Sequence, residues 1–266
     1  MDKRLAKQII YGIFYLAIIS IFFGIIYFVS IRSNPTCFDS RQNQKETGVD
    51  CGGPCLDCEI KTLSSIQLNF IKSFPSGNKS ILAAEIKNPN GNYGADNFSY
   101  LVDIYGSGGE KIKNIFGKSF IYAGEIKYII EVLDIDYKEI SEMKISFSDI
   151  NWLKKEEFER PKTQIREVST KLNDGKSVEV SGVIVNENAF SLSKVRIAGF
   201  LNNRSNIKIS ASKTELENIE AFGETSFKII FPKGISLAEN AASSSSLFNF
   251  NIADPNKTSI YIETIR

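Results

Sequence analysis

Residues 80–90, SILAAEIKNPN, and residues 177–188, SVEVSGVIVNEN, decide the fold of this 266-residue chain. Each is a short run rich in β-branched residues that stops on asparagine, the composition of a strand leading into a turn. The segments after them repeat as well. FSYLVDIYG (98–106) and YAGEIKYIIEV (122–132) come after the first run, and LSKVRIAGF (192–200) and AFGETSFKIIF (221–231) after the second. Asn88 stands 36 positions before Gly124 and Asn186 stands 37 before Gly223, so turn asparagine, middle strand and Gly-Glu turn fall in register.

Outward from these runs the same chemistry continues. IQLNFIKSF (66–74), IKYIIEV (126–132) and MKISFSD (143–149) read as further strands, separated by the turn-formers NPNGNYG and GSGG. The GSGG of 106–109 is a hairpin turn, since no strand-turn-helix context or following Lys-Ser/Thr marks a phosphate loop. No segment past Glu59 sustains a helical period, and only 136–143 and 153–159 hint at short helices or linkers. Two tandem β-sandwiches are expected, 61–153 and 154–266, divided at the charged stretch KKEEFERPK (154–162). Phe98 and Tyr100 alternate onto one face, which suits a sandwich core; an exposed row of the aromatics Phe98 to Tyr128 would instead suit a glycan or a partner strand.

The N-terminus sets the topology. Ile9 to Ile31 are 23 positions without a charge, and a helix of that length reaches roughly 34 Å, enough to cross a bilayer core. Lys3, Arg4 and Lys7 precede it and Arg32 follows, so residues 1–8 are expected in the cytoplasm, 9–31 in the membrane as an uncleaved signal anchor, and the bulk of the chain outside. A cleaved secretory signal is the competing reading. It fits less well, because the apolar run exceeds the usual h-region and no small-x-small site follows. A lipoprotein is disfavoured by the SNPT before Cys37.

Residues 32–60 form the stalk between anchor and sandwiches. All four cysteines lie here, within CFDSRQNQKETGVDCGGPCLDC (37–58). Outside the cytoplasm, Cys37, Cys51, Cys55 and Cys58 are expected to pair as two disulfides, with three pairings open. A metal-thiolate site and a redox pair at Cys55-x-x-Cys58 are the alternatives. Asp39, Asn43, Glu46 and Asp50 recur every three or four positions and offer oxygen ligands of the kind calcium takes. The alternative is a polar turn in which these side chains bond their own backbone while Gly48, Gly52 and Gly53 supply positive φ.

The spacing of Cys37, Asp39, Asn43, Glu46, Thr47, Asp50, Cys51, Gly52, Gly53, Cys55 and Cys58 resembles a short cysteine module of bacterial extracellular and surface proteins. In that module glycine often follows the Asp and the Asn, where this chain has Ser40 and Gln44. The resemblance implies an exported prokaryotic protein and no defined activity. Each repeat further resembles the FxLYD family of small β-sandwiches, similar to the late-embryogenesis-abundant type 2 fold. It does so through Asn88 and Asn186, the strands YLVDIYG and VRIAGFL, and the turns Gly124-Glu125 and Gly223-Glu224. Gly199-Phe200-Leu201 departs from the family's name-giving motif, and the first copy keeps only VDIYG. That resemblance implies a fold and binding or envelope roles.

Composition narrows function. With 32 Lys+Arg against 31 Asp+Glu the net charge is +1, so no field draws the chain to nucleic acid. The absence of histidine removes Ser-His and Cys-His nucleophiles and His-based zinc sites. Asp134 with Asp136, or Glu156, Glu157 and Glu159, are carboxylates that a glycosidase-like pair would need, yet edge-of-segment charges read as solvated surface. No catalytic residue is assigned. The sequons at Asn78, Asn97, Asn203 and Asn256 matter only in a glycosylating host. The expected role is a non-enzymatic envelope scaffold, assembly or adhesion protein with a protein partner and no cofactor. The alternatives are a solute- or lipid-binding module, a calcium-dependent sensor, and a carboxylate enzyme.

Overall fold

The computed structural model describes residues 3–30, 36–173, 177–238 and 252–265. Arg32 and the serine run 243–246, which reads as a flexible loop in the sequence, lie outside them. The chain divides into two compact units, Met1–Leu63 and Ser64–Arg266.

In the first unit, helix α1 spans Lys3–Ser30. Within it Lys7–Tyr27 is a 21-residue stretch of mean hydropathy 2.5, with none of it buried. The cysteine segment comes next, closed by Cys37–Cys55 and Cys51–Cys58. It passes into a short 3-10 turn, Cys58–Thr62, capped by the Asp57 side chain accepting from the Glu59 N–H.

The described residues of the second unit are mostly β. Its strands are β1 (Gln67–Ser76), β2 (Lys79–Lys87), β3 (Tyr93–Tyr105), β4 (Lys111–Ile121), β5 (Ile126–Leu133), β6 (Glu142–Lys154), β7 (Thr163–Asn173), β8 (Ser177–Asn186), β9 (Leu192–Asn202), β10 (Lys208–Ile219), β11 (Glu224–Ile230), β12 (Ser236–Leu237), β13 (Ile252–Ala253) and β14 (Ser259–Ile265). The sheets are β1-β2-β5 with β4-β3-β6, then β11-β8-β7 with β10-β9-β14, and a small parallel pair β12-β13. Both halves therefore share one topology.

Alternation along β2 and β3 sends Leu82, Ala84, Ile86, Phe98, Tyr100, Val102 and Ile104 into the first sandwich core. Val178, Val180, Ile184, Val195, Ile197, Phe227 and Ile229 build the second. Phe98 is fully buried and Tyr100 nearly so, whereas Phe116 on the edge strand β4 stays 66% exposed. Of the expected short helices, Tyr137–Glu139 is a single 3-10 turn. Leu153 continues strand β6 instead.

The repeat is closer than the sequence alone implies. In each copy a buried asparagine closes the turn. Asn88 Nδ2 donates to the Tyr93 and Tyr122 carbonyls at 2.6 and 3.0 Å, and Asn186 Nδ2 donates to Phe190, Ile219 and Glu220 at 2.8, 3.3 and 2.8 Å. Asn90 exchanges two bonds with the Ser64 backbone, and Asn188 does the same with Lys162. The Gly124 N–H donates to Asn90 O, and its counterpart is the Phe222 N–H donating to Asn188 O. Asn88 and Asn186, Asn90 and Asn188, Ser64 and Lys162, and Gly124 and Phe222 all stand 98 positions apart. Gly124 thus corresponds to Phe222, not to Gly223. Both hold positive φ, 67° and 55°, a conformation that glycine adopts freely and phenylalanine does not.

Candidate functional site

Two places concentrate chemistry: the seam between the sandwiches and the cysteine module.

The seam arises because two strands are apolar on both faces. In β2, Leu82 and Ala84 face the first core while Ile81 and Ala83 face away. In β9, Ile197 faces the second core while Ala198 and Phe200 face away. Ile81, Ala83, Tyr128, Ile130, Phe74, Phe200 and Ala211 close a third cluster in which sheet β1-β2-β5 lies on sheet β10-β9-β14. Four sheets therefore stack. The Tyr128 ring lies 4.1 Å from Tyr261 and 4.8 Å from Phe200, and the Lys208 ammonium is 5.0 Å from the Phe70 ring and 5.4 Å from Phe200.

Charges line one side of the seam. Lys127 Nζ is 2.9 Å from Glu263 Oε1 and donates to Phe120 O at 2.6 Å. Arg196 reaches Glu263 at 3.2 Å and Glu215 at 2.7 Å. Lys213 meets Glu131 at 3.5 Å and donates to the Ile130 carbonyl. Burial pushes the Lys127 ammonium below its ordinary value, against the pull of Glu263 and Glu125. Burial likewise raises the Glu125 carboxyl, although the Tyr122 N–H, Lys127 and Arg160 oppose it. Tyr100 is pushed up to about 12 by burial and by Glu131. These groups line a cleft of about 230 Å³.

The stretch 154–162 is fastened down where the sequence reads a divide. Phe158 stacks on Tyr122 with centroids 4.5 Å apart, and Tyr122 Oη donates to Thr264 O at 2.8 Å. Arg160 donates to Ile262 O at 3.2 Å and lies 3.7 Å from Glu125.

In the cysteine module the two disulfides join Cys37 to Cys55 and Cys51 to Cys58, so Cys55 and Cys58 are not bonded to each other and none of the four is a free thiol. Cys37, Glu46 and Cys55 do cluster, but both sulfurs belong to one disulfide. The oxygen-rich side chains serve the backbone. Asp39 Oδ1 accepts from the Arg41 N–H at 2.9 Å, and Asp50 Oδ1 from the Asp39 and Ser40 N–H groups at 3.0 Å each. Glu46 Oε2 accepts from the Asn43 and Asp50 N–H groups at 3.2 Å each, and Asn43 turns its Nδ2 to Asp39 Oδ2 at 2.8 Å. These contacts are those of a backbone-capping turn, while the Asn43 Oδ1 atom is buried without a hydrogen-bond partner.

Ser40 and Gln44, where the resembling module often has glycine, hold φ of 59° and 50°. Gly52 and Gly53 have positive φ as expected. Gly48 does not. Its requirement is space, because a Cβ there would sit 2.9 Å from Cys51 Sγ and 3.0 Å from Cys58 Sγ.

Comparison with known proteins adds little. No protein-family model matches the chain, and no curated protein matches it. Among solved structures it is similar to red sea bream transglutaminase at 10% identity and a TM-score of 0.23. That alignment covers 77% of this chain and 32% of the transglutaminase. A likeness at that level says nothing about activity.

Proposed function

We propose that the chain is a single-pass membrane protein with its N-terminus in the cytoplasm, and that its two sandwiches act outside the cell membrane as a non-enzymatic scaffold for envelope assembly or adhesion. The carrying observation is the order of parts: an apolar helix with no buried face, then a module held by two disulfides. Disulfides persist in oxidising compartments. Lys3, Arg4 and Lys7 before the apolar run favour the stated orientation. A scaffold must transmit geometry, and the third apolar cluster with its buried Lys127–Glu263 pair supports one stiff body.

A second reading, an extracytoplasmic solute-binding module, draws on the cleft of about 230 Å³ at the seam. The scaffold is preferred because Lys127, Arg196 and Lys213 are each matched by the chain's own carboxylates. Purification of the full chain from its own envelope after cross-linking separates the two. A stoichiometric protein partner supports the scaffold, and a co-purifying small molecule without one supports the solute-binding module.

A further inference from the structure

The cysteine module has almost no interior. Among residues 36–58 only Glu46 and Cys51 are buried, and the disulfides take the place of a core. Its large apolar side chains are nonetheless retained, and they point outward. Phe38 is 89% exposed, Leu56 66% and Val49 51%. No other large apolar side chain among the described residues is as exposed as Phe38.

The three are tied to one another through the chain. Phe38 follows Cys37 and Leu56 follows Cys55, and those cysteines are bonded with Cα atoms 5.6 Å apart. Val49 precedes Asp50, whose carboxylate holds the Asp39 and Ser40 N–H groups. Phe38 lies eight positions beyond Ser30, the last residue of α1. Eight residues span at most about 28 Å even when fully extended, so Phe38 stays within that reach of the C-terminal end of α1. Interfacial zones about 5–8 Å deep flank the hydrocarbon on each side and favour aromatic side chains.

We propose that this module docks on the lipid bilayer, with Phe38, Val49 and Leu56 seated in the interfacial zone of the leaflet next to the C-terminal end of α1. The proposal rests on reading α1 as a retained anchor. Its consequence is mechanical: a knot seated on lipid gives the chain beyond it a fixed base.

The test uses the full chain in phosphatidylcholine vesicles. Phe38→Trp is compared with the parent chain, whose one tryptophan is Trp152, and the difference in emission isolates position 38. With a lipid spin-labelled near the top of its acyl chain, the introduced indole should lose much of its emission, since an interfacial apolar side chain sits about 5–10 Å deep. It should also be shielded from aqueous acrylamide. Val49→Ser with Leu56→Ser in the same chain should weaken the lipid quenching while leaving no free thiols. Quenching by acrylamide and not by lipid overturns the proposal, and so does shielding from both, which would mean a protein or a second copy covers position 38. Loss of the chain from the vesicles after an alkaline wash overturns the anchor reading itself, and this proposal with it. Retention without lipid quenching sinks the docking alone.

Discussion

Lys127 Nζ lies 2.9 Å from Glu263 Oε1 across the seam between the two sandwiches, with side-chain exposures of 3% and 13%. Two ions removed from water in this way are compensated chiefly by each other. Glu263 also serves Arg196 at 3.2 Å. Glu263→Leu should therefore destabilise the second unit by about 3–5 kcal/mol, because it strands a buried cation. Lys127→Met with Glu263→Leu should recover most of that loss. Urea denaturation of the four chains of the double-mutant cycle measures the coupling, and additive losses would show that the pair does not hold the seam.

Glu125 gives a pH signature of unusual sign. Burial raises its carboxyl above 4.5 despite the Tyr122 N–H, Lys127 and Arg160. The folded state then holds the proton more tightly than the unfolded state, so the contribution to stability is full below 4.5 and is lost as pH rises through the folded value. Glu125→Gln has no such titration, and its amide oxygen can still accept from the Tyr122 N–H. The stability of Glu125→Gln relative to the parent should rise with pH from 4.5 upward, as read by thermal melting. A pH-independent difference would contradict the burial assigned to this carboxyl.

The duplicated asparagines allow a symmetric test. Asn88→Ala and Asn186→Ala each leave buried carbonyls without a donor, at about 1–3 kcal/mol for each group. Aspartate should not rescue either, since a carboxylate cannot donate. Because the sandwiches share an apolar cluster, both substitutions should move one common unfolding transition. A transition that splits in Asn186→Ala would show that the two sandwiches unfold separately.

The cysteine module can be improved and spoiled at chosen positions. Ser40→Gly and Gln44→Gly relieve left-handed strain, and each should stabilise the oxidised module by about 0.5–1 kcal/mol once the entropy of glycine is deducted. Gly52→Ala should prevent native pairing, because φ is +76° and the added Cβ would sit 1.9 Å from Thr47 Oγ1. Disulfide mapping by mass spectrometry of unreduced digests reads the loss in Gly52→Ala, and the midpoint of reduction in a dithiothreitol redox buffer reads the gain in the two glycine variants.

Much of the fold is legible in the sequence, and the reasons are local. The central strands β2, β3, β8 and β9 and the edge strand β5 carry the β-branched and aromatic runs, and the turn asparagines Asn88 and Asn186 mark the ends of β2 and β8. The edge strands β4, β7 and β10 are harder to see, since KIKNIFGKSFI, TQIREVSTKLN and KISASKTELENI mix lysine, serine and glutamate or their like as exposed edges do. The repeat is visible, but its offset is blurred because Phe222 holds the positive φ that invites alignment with a glycine. The seam had a signal as well. Ile81 to Ala84 and Ile197 to Leu201 are unbroken apolar runs with small residues, which a strand covered on both faces requires and a strand with one wet face does not. Ion pairs such as Lys127–Glu263 are not readable from spacing, because they join residues far apart in the chain. In the cysteine module the carboxylates are visible, whereas only the fold shows that backbone N–H groups occupy them.

The most direct measurement of the central claim, an anchored chain with an oxidised knot outside the cytoplasm, is maleimide labelling of the full protein in its native membrane after alkaline extraction. The chain should remain with the membrane and take up no maleimide until a reductant is added, and then label at Cys37, Cys51, Cys55 and Cys58. Labelling at all four cysteines without reductant, or release of the chain into the alkaline wash, would contradict it.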